Sequence, residues 1–256
     1  VTIFAQLLLA ATLLFVSALA LAAEIRVAVA SNFAEAATTL AQRFEATSGH
    51  KVTLSFGSTG KHYAQIKHGA PFDAFFAADV RRPELLEKEK LTVPGMRFTY
   101  ARGTLLLWSP TPGYVDAEGK VLVYGNFRHL AIANPKLAPY GRAAQQVLQA
   151  RGLWNRIRLR LVRGENIAQA FQYVQSGNAE LGFVAAAQVM RPGQPVEGSW
   201  WQVPQALYSP IEQQAVLLKD SAAARAFLDF VRSDEALAII HGFGYDIDHG
   251  NSHNTP

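Results

Sequence analysis

Apolar positions along this chain switch repeatedly between two spacings. Residues 25–30 (Ile-Arg-Val-Ala-Val-Ala) read as a strand, and Phe33, Ala37, Leu40 and Phe44 then recur at i, i+4, i+7 and i+11, one face of a helix that Gly49 can end. Residues 52–56 form the next strand, a Gly-Ser-Thr-Gly turn follows at 57–60, and a short helix runs to Gly69. Residues 73–77 are strand again, and Pro83 sits where a first helical turn accepts it. The same rhythm resumes with strands at 105–108 and 131–133, a helix opened by Pro139, Tyr140 and Gly141 and ending before Gly152, and a strand at 159–162. Ile167, Ala170, Phe171 and Val174 mark a helix closed by Gly177. Strands at 181–184 and 215–218 precede a last helix carrying Ala224, Phe227, Leu228 and Val231. The Pro- and Gly-rich stretch 110–125 reads as loop and hairpin. Strands alternating with helices of this length predict βαβ units and mainly parallel sheets. There are too many units for one compact sheet, so two α/β lobes are expected.

Composition narrows the function classes. The chain has 256 residues, 50% of them hydrophobic, with 24 Lys+Arg against 20 Asp+Glu and no cysteine. A disordered chain would need low hydrophobicity and a large net charge. Lack of cysteine excludes disulfides, thiolate-held zinc or iron–sulfur clusters, a cysteine nucleophile and a lipid anchor on cysteine. Residues 1–23 carry no charge, hold the apolar runs 7–9 and 13–16, and end in Ala20, Leu21 and Ala22, a small-x-small cleavage pattern. A signal peptide over 1–23, cut near Ala22 and Ala23, is therefore expected, with an exported mature chain and a polar tail at 249–256.

Candidate chemistry gathers where strands end. Ser31 and Asn32 follow the first strand, and Ser58 and Thr59 the second, each at the start of a helix. Such residues cap helices, yet helix N-termini with adjacent hydroxyls also bind anions. The helix starts at Tyr140 and Ile167 have the same potential, and ligands of open α/β sheets bind beyond the carboxyl ends of the strands. Residues 57–62 imitate a phosphate loop but place Ser55 where its first Gly belongs and His62 where it needs Ser or Thr. The seven histidines are scattered and read as surface residues. No Gly-x-Ser-x-Gly elbow or His-Glu-x-x-His is present, so no catalytic residue is assigned. Asp79 reads as a cap for the helix after Ala78. Arg156, Arg158 and Arg160 alternate like the solvent face of an edge strand, and nothing in the run suggests nucleic-acid binding.

Five segments together are similar to the periplasmic molybdate-binding proteins of ABC transporters. They are Arg-Val-Ala-Val-Ala-Ser-Asn-Phe at 26–33, Ser-Phe-Gly-Ser-Thr-Gly at 55–60, Gly-Ala-Pro-Phe-Asp-Ala-Phe-Phe-Ala-Ala-Asp at 69–79, Ala-Asn-Pro at 133–135 with Pro-Tyr-Gly at 139–141, and Leu-Gly-Phe-Val at 181–184. The resemblance implies a type II periplasmic-binding-protein fold, with lobe 1 over 24–103 and 213–248, lobe 2 over 104–212, and the ligand in the cleft between them. It implies a binding protein, not an enzyme, a monomer without a cofactor, whose partners are molybdate or tungstate and a membrane ABC permease. It also implies ligand contacts from Ser31 and Thr59 on one lobe and from the backbone of Tyr140 and Ile167 on the other, with Asn32 as a further donor. Many members carry a Tyr where this chain has Ala185, so that donor has to be replaced. The alternatives are the same fold holding another oxyanion such as sulfate or, from a different class, an exported serine hydrolase using Ser31 or Ser58.

Overall fold

The computed structural model describes residues 22–247. The expected leader, apart from its last two residues, and the expected polar tail lie outside these.

The first lobe opens with β1 (Glu24–Ala30), which passes through a 3-10 turn (Ser31–Phe33) into α1 (Ala34–Ser48). Gly49 ends α1 in the left-handed region, at φ 71°, where a residue without Cβ is favoured. Next come β2 (Lys51–Gly57), α2 (Thr59–Lys67), β3 (Ala74–Ala77), α3 (Arg81–Lys88) and β4 (Phe98–Gly103). A single residue, Thr104, separates β4 from β5 (Leu105–Ser109), the first strand of the second lobe. The second lobe continues through α4 (Val121–Tyr124), β6 (Leu130–Ala133), α5 (Pro139–Ala150), α6 (Trp154–Ile157), β7 (Leu161–Gly164), α7 (Ile167–Gln175), β8 (Leu181–Ala185), α8 (Ala186–Val189) and β9 (Ser199–Gln202). The chain then returns to the first sheet as β10 (Ile211–Leu217) and finishes with α9 (Ala222–Val231) and α10 (Asp234–Gly242).

The two sheets have equivalent orders, β2-β1-β3-β10-β4 and β7-β6-β8-β5-β9. In each, two pairings are parallel and two antiparallel, because one strand runs against the other four. That strand is β10 in the first sheet and β5 in the second, in both cases the strand that enters directly from the other lobe. The architecture is a two-lobe type II binding-protein fold.

Both faces of each sheet are covered, which explains the near-continuous apolar runs of the central strands. Val27, Val29 and Phe76 pack with Leu40, Phe44, Phe227 and Leu228 of α1 and α9 on one face of the first sheet. Ala28, Phe75 and Val216 meet Ile66 of α2 and Leu86 of α3 on the other. In the second lobe, Leu105, Leu106, Ile132 and Phe183 pack against Val147 and Leu148 of α5 and Val174 of α7. Each fully buried side chain of this size contributes roughly 1.5–3 kcal/mol.

Several expected elements differ. Arg156 lies in α6 and Arg158 and Arg160 in a 3-10 turn, so they do not alternate along a strand. Two of the guanidinium groups anchor the turn: Arg156 donates to the carbonyls of Leu122 and Val123, and Arg160 stacks on Phe127, 3.8 Å from the ring centre. The stretch 110–125 forms turns and α4 and no hairpin. Asp116 holds it by accepting the N–H groups of Glu118, Lys120 and Val121. β4, β9 and α10 escaped the pattern: β4 and β9 are four to six residues long with polar positions interleaved, and only two residues separate α10 from α9.

Candidate functional site

The loops that follow β1 and β2 face the starts of α5 and α7 across the cleft, and together they line one small pocket. Ser31, Asn32, Thr59, Tyr140 and Ile167 all border it, with Ser58, Ala78, Pro139 and Asn166 between them. Every one of the five expected residues is nine-tenths or more buried. The cavity is small, about 10 Å³, too little for a sugar or a peptide.

Three hydroxyls reach this pocket, and each already accepts a backbone N–H. Thr59 Oγ1 takes the Ala78 N–H at 3.1 Å, Ser58 Oγ takes that of Lys61 at 3.3 Å, and Ser31 Oγ takes that of Ala168 at 3.5 Å. A hydroxyl has one proton to give, so with an acceptor site occupied each is left to act as donor toward a ligand. Ser58 is therefore the N-cap of α2, while Ser31 caps nothing on its own lobe and bonds instead across the cleft.

Backbone donors complete the set. Thr59 and Ile167 are the first residues of α2 and α7, and Tyr140 is the second of α5, directly after Pro139, which has no N–H. No carbonyl of the same helix can reach N–H groups in a first turn. Their neighbours are satisfied: Gly60 donates to Leu137 O at 2.9 Å, and Gln169 donates to Asn166 Oδ1 at 3.0 Å. Among the described residues, no protein acceptor takes the N–H groups of Thr59, Tyr140 or Ile167. Three helix N-termini thus converge on one point, each adding partial positive charge.

Asn32 differs from expectation. Its side-chain amide turns away from the pocket and gives both its protons to Gln213 Oε1 (2.7 Å) and the Tyr245 hydroxyl (3.1 Å). The side chain therefore cannot serve as an extra donor to the ligand, and the residue faces the pocket with its backbone. Ala185 is not part of the wall. Its N–H is taken by Gln188 Oε1 at 2.9 Å, while Gln188 Nε2 donates to Ile167 O at 3.2 Å, so this glutamine secures the turn that carries the Ile167 N–H.

No formally charged side chain lines the pocket. Charges pair across its rim instead: Lys61 with Glu165 at 3.0 Å, Arg191 with Glu35 at 3.0 Å, and Arg142 with Asp79 at 3.6 Å. Asp79 also pairs with the nearly buried Arg82 and accepts its N–H at 3.1 Å from just before α3, whose N-cap position is Val80 and not Asp79. Arg82 crosses to Lys136 O at 3.1 Å. The two lobes therefore touch around the pocket, as in a closed cleft. Burial raises the hydroxyl pKa of Tyr140 well above the usual tyrosine value, so it stays protonated.

His62 is the other departure, because it is buried and not on the surface. Its ring packs edge-on against Phe72 and Phe75 behind the Gly57 turn, with Nδ1 3.0 Å from Gln65 Oε1. Burial lowers its pKa and keeps the ring neutral. Gln213, Gln188 and Tyr245 gave no local sequence signal, since a lone polar residue in an apolar stretch reads the same whether it supports a site or not. Among the described residues, no cluster of three or more His, Asp and Glu is placed to hold a metal ion.

Comparison with known proteins agrees with this geometry. The family model for bacterial extracellular solute-binding proteins matches residues 25–246. The chain is 53% identical over 229 residues to the molybdate-binding protein ModA of Azotobacter vinelandii, covering 88% of this chain and 91% of that one. It is 48% identical to the molybdate-binding protein ModA of Rhodobacter capsulatus, covering 88% and 89%. A solved structure of the Azotobacter vinelandii periplasmic molybdate-binding protein superposes with a TM-score of 0.85 at 43% identity, covering 87% of this chain and 99% of that one. With the match spanning both lobes and the cleft between them, the chain belongs to the bacterial extracellular solute-binding protein family.

Proposed function

We infer that this protein captures molybdate, and tungstate with it, in the cleft between its lobes and delivers it to a membrane ABC permease outside the cytoplasm. The observation that carries the reading is a small inter-lobe pocket without a formally charged side chain, bordered by three hydroxyls and three backbone N–H groups that no protein acceptor takes among the described residues. Two relatives at 53% and 48% identity named as molybdate-binding proteins support the same ligand.

Molybdate is fully deprotonated at neutral pH, so all its oxygens accept hydrogen bonds and none donates. A wall made only of donors suits it, whereas a protonated phosphate would turn an O–H against another donor. Sulfate has the same charge and shape, so its rejection falls to the size of the pocket. Each charge-assisted bond contributes roughly 1.5–3 kcal/mol. Six of them, less the costs of association and closure, suit a binding free energy of about −8 to −12 kcal/mol. The Ser31, Ser58 and Thr59 hydroxyls have no imidazole partner among the described residues, which disfavours a serine hydrolase.

The lobes in this reading comprise 24–103 with 213–248 and 104–212, hinged at Thr104 and on the return into β10, and the protein acts as a monomer. Donors that ring the anion from both lobes require an open state for entry, so binding closes the hinge.

Calorimetric titration of ligand-stripped protein with molybdate, tungstate, sulfate and phosphate tests this. Submicromolar binding of the first two, with sulfate about a thousandfold weaker, is expected. Tight sulfate binding would keep the oxyanion role and change the ligand, and no binding by any of the four would end the reading.

A further inference from the structure

Behind the pocket wall lies a buried polar cluster that the ligand contacts do not explain. Gln213 is completely buried on β10, and the register shift beside it places an extra residue, Tyr100, in β4 between the partners of Gln213 and Gln214. Bulges of this kind re-aim a side chain and gather near functional sites. Gln213 Oε1 accepts two protons, from Asn32 Nδ2 at 2.7 Å and from the Tyr100 hydroxyl at 3.1 Å. The Asn32 amide nitrogen can only donate, so Oε1 faces it and Nε2 points the other way, while the Tyr100 hydroxyl shares its one proton with Ala77 O at 3.2 Å. There it meets the hydroxyl of Tyr140 at 3.5 Å, the outer limit of a hydrogen bond.

That contact joins the lobes. Gln213 and Asn32 belong to the first sheet and its loop, whereas Tyr140 starts α5 of the second lobe and offers its backbone N–H to the pocket. The Tyr245 hydroxyl closes the cluster by donating to Asn32 O at 2.7 Å, which pins the peptide next to Ser31. Gly103, the last residue before the crossing, makes room for it: a Cβ there would lie 2.0 Å from the Tyr140 hydroxyl and 2.9 Å from Gln213 Nε2.

We propose that Gln213 is a positioning residue that couples anion capture to lobe closure, holding the Asn32 peptide on one wall and receiving the Tyr140 hydroxyl of the other when the cleft shuts. The proposal rests on the oxyanion-binding reading above. Opening the lobes withdraws Tyr140 and strips a buried amide of its partner. The contact therefore favours the closed state and slows release, with no part in the encounter.

Tyr140→Phe tests it with least disturbance, because it keeps the ring and the pocket N–H and removes only the hydroxyl. Molybdate affinity is expected to fall about fivefold to tenfold, through faster release in stopped-flow experiments at an unchanged association rate. Gln213→Leu is expected to weaken binding by about tenfold or more, and the double variant to bind no more weakly than Gln213→Leu alone, since both remove one contact. A purely structural role would make the two losses multiply. If Gln213→Leu does not fold, Gly103→Ala replaces it, because the added methyl displaces the same hydroxyl. Tight wild-type binding unchanged by Tyr140→Phe, or losses that multiply, would overturn the inference and leave the functional reading standing. Absence of molybdate binding by the wild type would overturn both.

Discussion

The two walls of the pocket use different chemistry. The first lobe offers mainly side chains: Ser31, Ser58 and Thr59 supply hydroxyls that each already accept one backbone N–H, joined by the Thr59 N–H at the start of α2. The second lobe offers mainly backbone, with the N–H groups of Tyr140 and Ile167 at the starts of α5 and α7. One wall can thus be altered by changing a side chain in the pocket, while the other yields only to changes that move a helix. Two walls of donors, neither carrying a formal charge, also show why a divalent anion can be held without a counter-charge: helix N-termini and preoriented dipoles supply the field.

The largest expected effect breaks the backbone wall. A Cβ on Gly141 would fall 2.2 Å from Ala133 O, so Gly141→Ala must displace the first turn of α5. Molybdate affinity should drop by about a hundredfold or more, and overpacking should cost about 1–3 kcal/mol of stability. Calorimetry and thermal melts check both, and retained affinity would place the second wall elsewhere. Thr59→Ala strikes the side-chain wall and should weaken binding by at least about tenfold, while lowering the melting temperature of the empty protein by only a few degrees. Thr59→Ser, which keeps the hydroxyl, should bind nearly as well as the wild type.

A third expectation separates the walls by pH. His62 backs the first wall, and burial depresses its pKa below the usual 6.5. The unfolded chain takes up that proton more readily than the folded one, so stability is retained above pH 6.5 and lost as pH falls below it. Melting temperatures from pH 7.5 to 5 should show this decline, and His62→Gln should flatten it. An equal slope in the variant would remove His62 from the account. The smallest effects should come from Ile167→Val and from Arg158→Ser combined with Arg160→Ser. The first leaves the ligand-facing N–H in place, and the second alters a turn away from the pocket. Less than about a twofold change in molybdate affinity is expected in calorimetry for either, and a large loss with Ile167→Val would mean that the side chain and not the backbone makes the contact.

Much of this architecture was legible because buried strands and amphipathic helices leave periodic traces. Residues 25–30 and 181–184 are strands for the plain reason that both their faces are covered. The five residues that border the pocket were picked out by motif order more than by chemistry, since Ser31 or Thr59 alone reads equally well as a helix cap. Misreadings fell where side chains act over long range. Arg156, Arg158 and Arg160 looked like an edge strand because alternation was their only local signal, and the carbonyls of 122 and 123 that hold Arg156 lie more than thirty residues away. Asn32 looked like a ligand donor because its partners, Gln213 and Tyr245, are about two hundred residues distant.

The sequence by itself determined most of the central strands and amphipathic helices, the two lobes and the placing of small hydroxyl residues at strand ends, all consequences of local spacing and burial. Only the tertiary structure decided which donors remain for a ligand. Thr59 keeps its N–H while Gly60, one residue later, spends its own on Leu137 O of the opposite lobe. The Asn32 amide turns inward because Gln213 is buried beside it. A donor is left for a ligand only when every other acceptor within reach is taken or absent, and in this protein many of those acceptors arrive from the other lobe.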